Sequence, residues 1–199
     1  MTKKTGPTLA LVAIAVAVLA AACGDDNDDR APVTRDESAG KVGTRSKTDL
    51  TDAQIMAVTT VANQGEVAQA KAALPKLTRD DARQFATMMV QMHTDAQTRQ
   101  EALGRSQGMT PEDNELSRSL KRQSDAIVEQ LHQASEDVDR TYMQAQVSVH
   151  TDVLKTIDER LLPAAKTEAL KQELKTARAE VSQHLERARS IAESPSASR

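Results

Sequence analysis

Beyond residue 50, apolar side chains recur at spacings of three and four residues, which is the pattern of amphipathic helices. No stretch alternates apolar and polar residues between turn signals, so strands are not expected. Because short connections join long helices, the pattern favours an all-α, antiparallel four- or five-helix bundle. A coiled-coil oligomer is the alternative, since the apolar stripes are longer than most globular helices need. The approximate bounds of the predicted helices are 52–74, 79–107, 111–131, 136–160 and 164–192.

Capping residues set these bounds. Thr51 and Gln54 have the spacing of a capping box for the first helix, and Thr78 is the predicted cap of the second. Pro111 takes the favoured first position of the third helix. Ser135 is the predicted cap of the fourth.

The first 22 residues follow a different pattern. Lys3 and Lys4 precede an apolar run from Leu9 to Ala22, as in a bacterial export signal. The run of about 14 residues is shorter than the roughly 20 that span a bilayer as a helix, so we expect cleavage before Cys23. The polar stretch that follows cannot bury enough apolar surface to order itself. The predicted organisation is a signal peptide at 1–22, a disordered tether at 23–48, a helical bundle at 49–193 and a frayed tail at 194–199.

Cys23 is the only cysteine of the chain, so it has no intramolecular disulfide partner. The stretch from Leu19 to Cys23 resembles the lipobox of bacterial lipoproteins, although its leucine lies one position further from the cysteine than is usual. The resemblance implies lipidation at Cys23. The alternative is an ordinary secretory signal cleaved at the same bond, which leaves a free thiol.

The expected location is therefore outside the cytoplasm, with the protein lipid-anchored in the cell envelope. In an organism with two membranes, Gly24 directly after Cys23 resembles lipoproteins released to the outer membrane, where the domain faces the periplasm. In an organism with one membrane, the same anchor holds the domain on the outer face of the cell. The membrane, contacted through the N-terminal lipid, is the one partner that the sequence indicates, and no motif identifies a protein partner.

Composition narrows the function further. Aromatic residues make up only 1% of the chain, so the core must be built from aliphatic side chains and methionine. The 26 basic and 29 acidic residues are interleaved, and this argues against nucleic-acid binding. The sequence contains neither a phosphate-binding glycine loop nor a nucleophile elbow. Catalysis is consequently the weakest of the functional hypotheses, and redox chemistry would first require a bound metal.

Three stretches resemble a bacterial envelope family catalogued as domain of unknown function 4142. They are residues 82–93, ending in His93, residues 138–150, ending in His150, and the pair His184 and Leu185. The resemblance covers about residues 50–191 and implies a ferritin-like helical bundle, with the family's acidic position in the first helix at Glu66. Members often carry acidic residues just before the first two of these histidines, but here those positions hold Gln91-Met92 and Ser148-Val149.

Glu66, His93, His150 and His184 interrupt apolar stripes on four different predicted helices. Imidazole nitrogens suit transition metals, so these residues are candidate ligands for Fe, Zn or Cu within the bundle. His132 lies off its apolar stripe and is expected to be solvated. Three neighbouring methionines on the second helix are interpreted as flexible core residues rather than as copper ligands.

Two observations favour a structural role for the same residues. The di-iron pattern of ferritin-like bundles, with Glu-x-x-His on two helices, is missing. Measured from the first interhelical turn, Glu66 and His93 differ in axial level by roughly 9 Å at 1.5 Å per residue. The structural interpretation is that the four residues form buried hydrogen bonds between helices.

The leading sequence-based hypothesis is a non-catalytic, membrane-anchored envelope lipoprotein with a structural, interaction or stress-related role. The alternative is a ferritin-like protein that binds a transition metal through Glu66, His93, His150 and His184.

Overall fold

The computed structural model of the protein describes residues 50–194, and within that range the structure is helical with no strand. The predicted all-α antiparallel bundle is confirmed. The predicted signal peptide, lipidated cysteine and tether lie outside the described residues, as does the end of the tail. No helix in the described range is both long and apolar enough to cross a membrane. The elements are α1 (Asp52–Ala73), α2 (Asp80–Gln107), α3 (Glu115–Gln133), α4 (Val138–Thr156), a π-helical turn (Ile157–Leu161), α5 (Leu162–Ala164) and α6 (Glu168–Glu193).

Two hydrophobic cores occupy opposite ends of the bundle. We call them the Phe85 core and the Leu174 core after a fully buried residue of each. The N-terminal parts of α2 and α4 enter the Phe85 core, whereas the N-terminal parts of α1 and α6 enter the Leu174 core. The consecutive long helices therefore run in alternating directions. Most importantly, α1, α2, α4 and α6 each pass from one core to the other, and the middle of each helix lies in the layer between them.

Helix α3 packs along α1 at close range. A Cβ atom built on Gly65 would lie 2.6 Å from the Ser124 hydroxyl, so a side chain at this position would force the helices apart. The Gln69 amide donates to that hydroxyl at 3.1 Å, and its carbonyl accepts from the Gln146 amide at 3.0 Å. This chain of hydrogen bonds ties α1 to both α3 and α4.

Two predicted helix starts and one predicted cap are wrong. Helix α3 begins at Glu115 rather than at Pro111, because the Asn114 side chain accepts from two backbone N–H groups and forms a capping box with Ser117. Helix α4 begins at Val138, after Asp137 in a left-handed conformation (φ 51°), and Ser135 does not cap it.

The wrong cap is that of α2, which begins within one residue of the predicted start but is not capped by Thr78. Instead, the Asp139 carboxylate accepts from the backbone N–H groups of Thr78 and Arg79 and from the Thr78 hydroxyl, at 2.6–3.2 Å. Partial burial acts to raise the pKa of Asp139, but these hydrogen bonds outweigh burial and hold the pKa below its ordinary value. The start of α2 is thus capped by a residue of α4.

The end of α4 widens into a π-helical turn before Pro163, where the sequence predicted a continuous helix to about Arg160. Proline has no N–H to donate to the carbonyl of Glu159. Just before the proline, the Leu162 N–H bonds to the carbonyl of Ile157, five residues back, rather than to the carbonyl four residues back as in an α-helix. The turn buries Ile157 and Leu161 in the Leu174 core, directly beyond the segment of α4 that carries His150.

Candidate metal centre

The four candidate ligands predicted from sequence all lie in the layer between the two cores. Glu66 on α1, His93 on α2, His150 on α4 and His184 on α6 are 3%, 6%, 1% and 4% exposed. Each is buried because it shares a helix face with core residues on both sides, as His93 does with Met89 and Ala96. Polar side chains at such low exposure require hydrogen-bond partners or another compensating interaction.

The three histidines form a compact triangle. One potential ligand nitrogen from each ring lies within 4.8 Å of those from the other two. Ring centroids are 6.1 Å apart for His93 and His150, 5.4 Å for His93 and His184, and 5.5 Å for His150 and His184. Each ring comes from a different helix, so residues 57 and 34 positions apart in the chain converge at one point. The arrangement can hold one metal ion between three imidazole nitrogens.

Hydrogen bonds at the rear of two rings fix which nitrogen faces the centre. His93 Nδ1 lies 2.9 Å from Asn63 Oδ1, and His150 Nδ1 lies 2.8 Å from the Gln146 carbonyl oxygen. Both oxygens accept, so each Nδ1 carries the proton and each Nε2 keeps a lone pair. Metal-binding histidines in proteins are commonly oriented in this way, by a carbonyl or carboxylate behind the ring.

The free nitrogens have no protein partner. His93 Nε2, His150 Nε2 and His184 Nδ1 are buried, and none of them has a hydrogen-bond partner among residues 50–194. They border a cavity of about 60 Å³. A water molecule needs about 10–15 Å³ of such space, so the cavity has room for several non-hydrogen atoms.

Burial keeps two of the three histidines, His93 and His184, in the neutral form that binds metals. Burial, reinforced by the other two histidines and Arg99, lowers the pKa of His93 to about 3. Burial and the neighbouring His150 lower the pKa of His184 to about 4. Desolvation disfavours the imidazolium form, so His93 and His184 are neutral at pH 7 and their lone pairs are available without loss of a proton.

Glu66 lies beside the triad rather than within it. Its Oε1 is 3.9 Å from His150 Nδ1, the nitrogen already committed to the Gln146 carbonyl, and Glu66 is not part of the group of mutually close ligand atoms. Burial raises the pKa of Glu66, although His150 and the Gln146 amide oppose this. Burial and the Glu66 carboxylate together raise the pKa of Tyr142. Glu66 thus occupies a polar niche behind His150.

An ion-pair cluster includes two residues of the cavity wall. Arg99 of α2 contacts Glu180 at 2.7 Å and Glu173 at 3.4 Å, both on α6. These two glutamates line the cavity, so Glu180, four residues before His184, is paired with a cation rather than directed to the triad. Elsewhere, His132 is exposed, as predicted.

Asn63 is the important site residue that the sequence analysis missed. The axial offset expected between Glu66 and His93 agrees with the contact that the structure shows. The partner of His93 is Asn63, which lies on α1 about one turn further from the interhelical turn than Glu66 does. Asn63 also donates to Gln100, whose amide donates to the Met56 carbonyl and the Thr60 hydroxyl. This network holds α1 and α2 in register at the level of His93.

A known protein family matches most of the chain. The family described as Domain of unknown function (DUF4142) matches residues 37–191. The chain belongs to the DUF4142 family. The matched range of this DUF4142 protein contains the three histidines, Glu66 and Asn63, whereas Cys23 precedes it. No curated protein and no solved structure matched the chain.

Proposed function

We propose that this protein is a membrane-anchored envelope protein that binds one transition-metal ion between His93, His150 and His184. The observation that carries the proposal is the convergence of three buried imidazoles whose potential ligand atoms lie within 4.8 Å of one another. A site with this donor set and no thiolate suits Zn, Cu or Fe.

Hydrogen bonding alone accounts poorly for the same residues. Of the three histidines, only His93 bonds to a side chain of another helix, and each ring retains a buried nitrogen without a partner in the described range. Each such group costs about 1–3 kcal/mol, so the three together cost about 3–9 kcal/mol, against a typical domain stability of about 5–15 kcal/mol. A metal ion coordinated by all three would remove that cost.

The donor set favours a mononuclear site over a di-iron centre. Di-iron sites in helical bundles take carboxylates from several helices. In this layer Glu66 is the only buried carboxylate among the described residues, and it lies on the Nδ1 side of His150. At 3.9 Å from His150 Nδ1, its role would be to balance part of the charge of a bound ion from behind the ring, which the Gln146 carbonyl orients. Storage, buffering or delivery of a metal ion fits this arrangement better than oxygen activation does.

Metal stoichiometry tests this proposal. The full chain is purified in detergent, stripped with chelator, reloaded with Zn²⁺, Co²⁺ or Cu²⁺, and assayed for bound metal and melting temperature. We expect one ion per chain and a higher melting temperature on loading. Both effects should be lost in His93→Ala and His150→Ala and kept in the matched control His132→Ala, since His132 is exposed. Failure of every metal to bind would refute the proposal.

The membrane anchor is the second part of the proposal and rests on the sequence around Cys23. Two or three acyl chains, at about 0.8 kcal/mol per buried methylene, would hold the domain stably at a membrane surface. Labelled palmitate should be incorporated into the wild-type protein and not into Cys23→Ser. Incorporation that survives this substitution would rule out acylation at that residue.

A further inference from the structure

The cavity beside the triad extends beyond the space that a metal ion itself needs. Its remaining wall is mainly apolar and comes from all four helices of the layer, including Val58, Ala62, Ala96, Val153, Leu174 and Ala177. At about 60 Å³ it offers about four times the volume that one water requires. The three histidines therefore line a small chamber and not a close-packed core.

No carboxylate of the described range joins the three histidines in their group of mutually close ligand atoms. Glu66 approaches His150 from the Nδ1 side, whereas Nε2 is the free nitrogen. Glu173 and Glu180 are held by Arg99. Zinc sites with three protein ligands characteristically complete their coordination with a water or a substrate atom.

Charge decides which exogenous ligand fits this position best. Neutral imidazoles bring no negative charge to a divalent ion, and Glu66 is not among the mutually close ligand atoms. A buried charge is costly unless it is paired. A small monoanion would neutralise half of that charge, and the chamber limits it to a few atoms.

We propose that the metal-loaded triad binds a small monodentate anion, of the size of hydroxide, cyanate or azide, at a fourth coordination position that faces the apolar chamber. This inference rests on the proposed metal site and adds a ligand class to it.

Cobalt(II) provides the spectroscopic test, with azide as the probe. The full chain is loaded with Co²⁺, its stoichiometry is measured, and azide is titrated while visible absorption is recorded. We expect a saturable spectral change corresponding to one azide per cobalt.

Two variants on one helix locate the anion. Ala177→Leu adds bulk to the chamber wall, so cobalt should still bind while azide affinity falls about tenfold or more. Ala179→Leu makes the same change at an exposed position of α6 and should behave as wild type. Glu66→Gln should leave azide binding intact.

The possible failures are distinguishable. Cobalt binding with a spectrum that azide does not change would overturn this inference and leave the metal site standing. Azide binding that appears only in Glu66→Gln would identify Glu66 as the fourth ligand and would also overturn it. If cobalt, zinc and copper all fail to bind, both proposals are overturned, whether or not Ala177→Leu folds.

Discussion

Replacing His184 by leucine should stabilise the metal-free protein. His184 makes no hydrogen bond to any other residue in the range 50–194, and its buried Nδ1 has no partner. Leucine is similar in size and apolar, and it would extend the apolar surface already provided by Val181 and Leu185. The substitution removes a buried unpaired group without breaking a bond, so the free energy of unfolding should rise by about 1–3 kcal/mol.

Thermal unfolding in chelator measures this effect. For a domain of this size, the expected change corresponds to a rise in melting temperature of about 3–10 °C. His132→Leu is the matched control, because the same substitution at an exposed histidine should change the melting temperature little. With metal present the order should reverse, since a ligand at about 1,000 times its Kd for the wild type stabilises it by about 4.1 kcal/mol, more than the substitution gains.

The sign of the change separates the two interpretations of the triad. If His184 has a structural role, its replacement should lower the melting temperature in chelator. That outcome would refute the reasoning that the histidines are retained at a cost in stability.

Three further predictions follow from the contacts. Lowering the pH from 7.5 to 5 should destabilise the metal-free protein, as measured by urea titration. The pKa values of about 3 for His93 and about 4 for His184 lie below the ordinary value of 6.5. The unfolded chain therefore binds protons in this pH range that the folded chain does not bind. The loss should begin near pH 6.5 and approach about 1.4 kcal/mol per pH unit for each histidine, and a flat profile would contradict it. Asn63→Leu should weaken metal affinity about 10- to 100-fold in calorimetric titrations by releasing the His93 ring, and unchanged affinity would count against the assigned tautomer. Asp139→Ala should lower the free energy of unfolding by about 0.5–2 kcal/mol through loss of the α2 cap, whereas Ser135→Ala should have no effect; the reverse order would show that the sequence-predicted cap operates after all.

Local patterns in the sequence predict most of the fold. The bounds of α1 and α2 agree with the apolar periodicity to within about one residue, because spacing and the Thr51 capping box depend on neighbours in the chain. Caps that come from distant residues could not be predicted. Asp139 caps α2 from 60 positions away, and Asp52 accepts from the N–H groups of Lys166 and Thr167 at the start of α6.

The candidate site could also be predicted only in part from the sequence. A histidine on an apolar stripe is visible in the sequence, so His93, His150 and His184 were predicted to be buried within the bundle, and they are. Their convergence depends on the relative axial positions of four helices. The turn lengths and the π-helical turn before Pro163 set those positions, and neither is encoded by periodicity. The contact between Asn63 and His93 depends on the same axial positions, so it could not be predicted either.

Anomalous diffraction from crystals of the metal-loaded protein tests the central claim most directly. Data collected on either side of the absorption edge of the loaded metal should give a single strong peak per chain, within coordination distance of His93 Nε2, His150 Nε2 and His184 Nδ1. A loaded crystal whose peaks all lie at surface carboxylates or at His132, with none inside the triangle, would contradict the account.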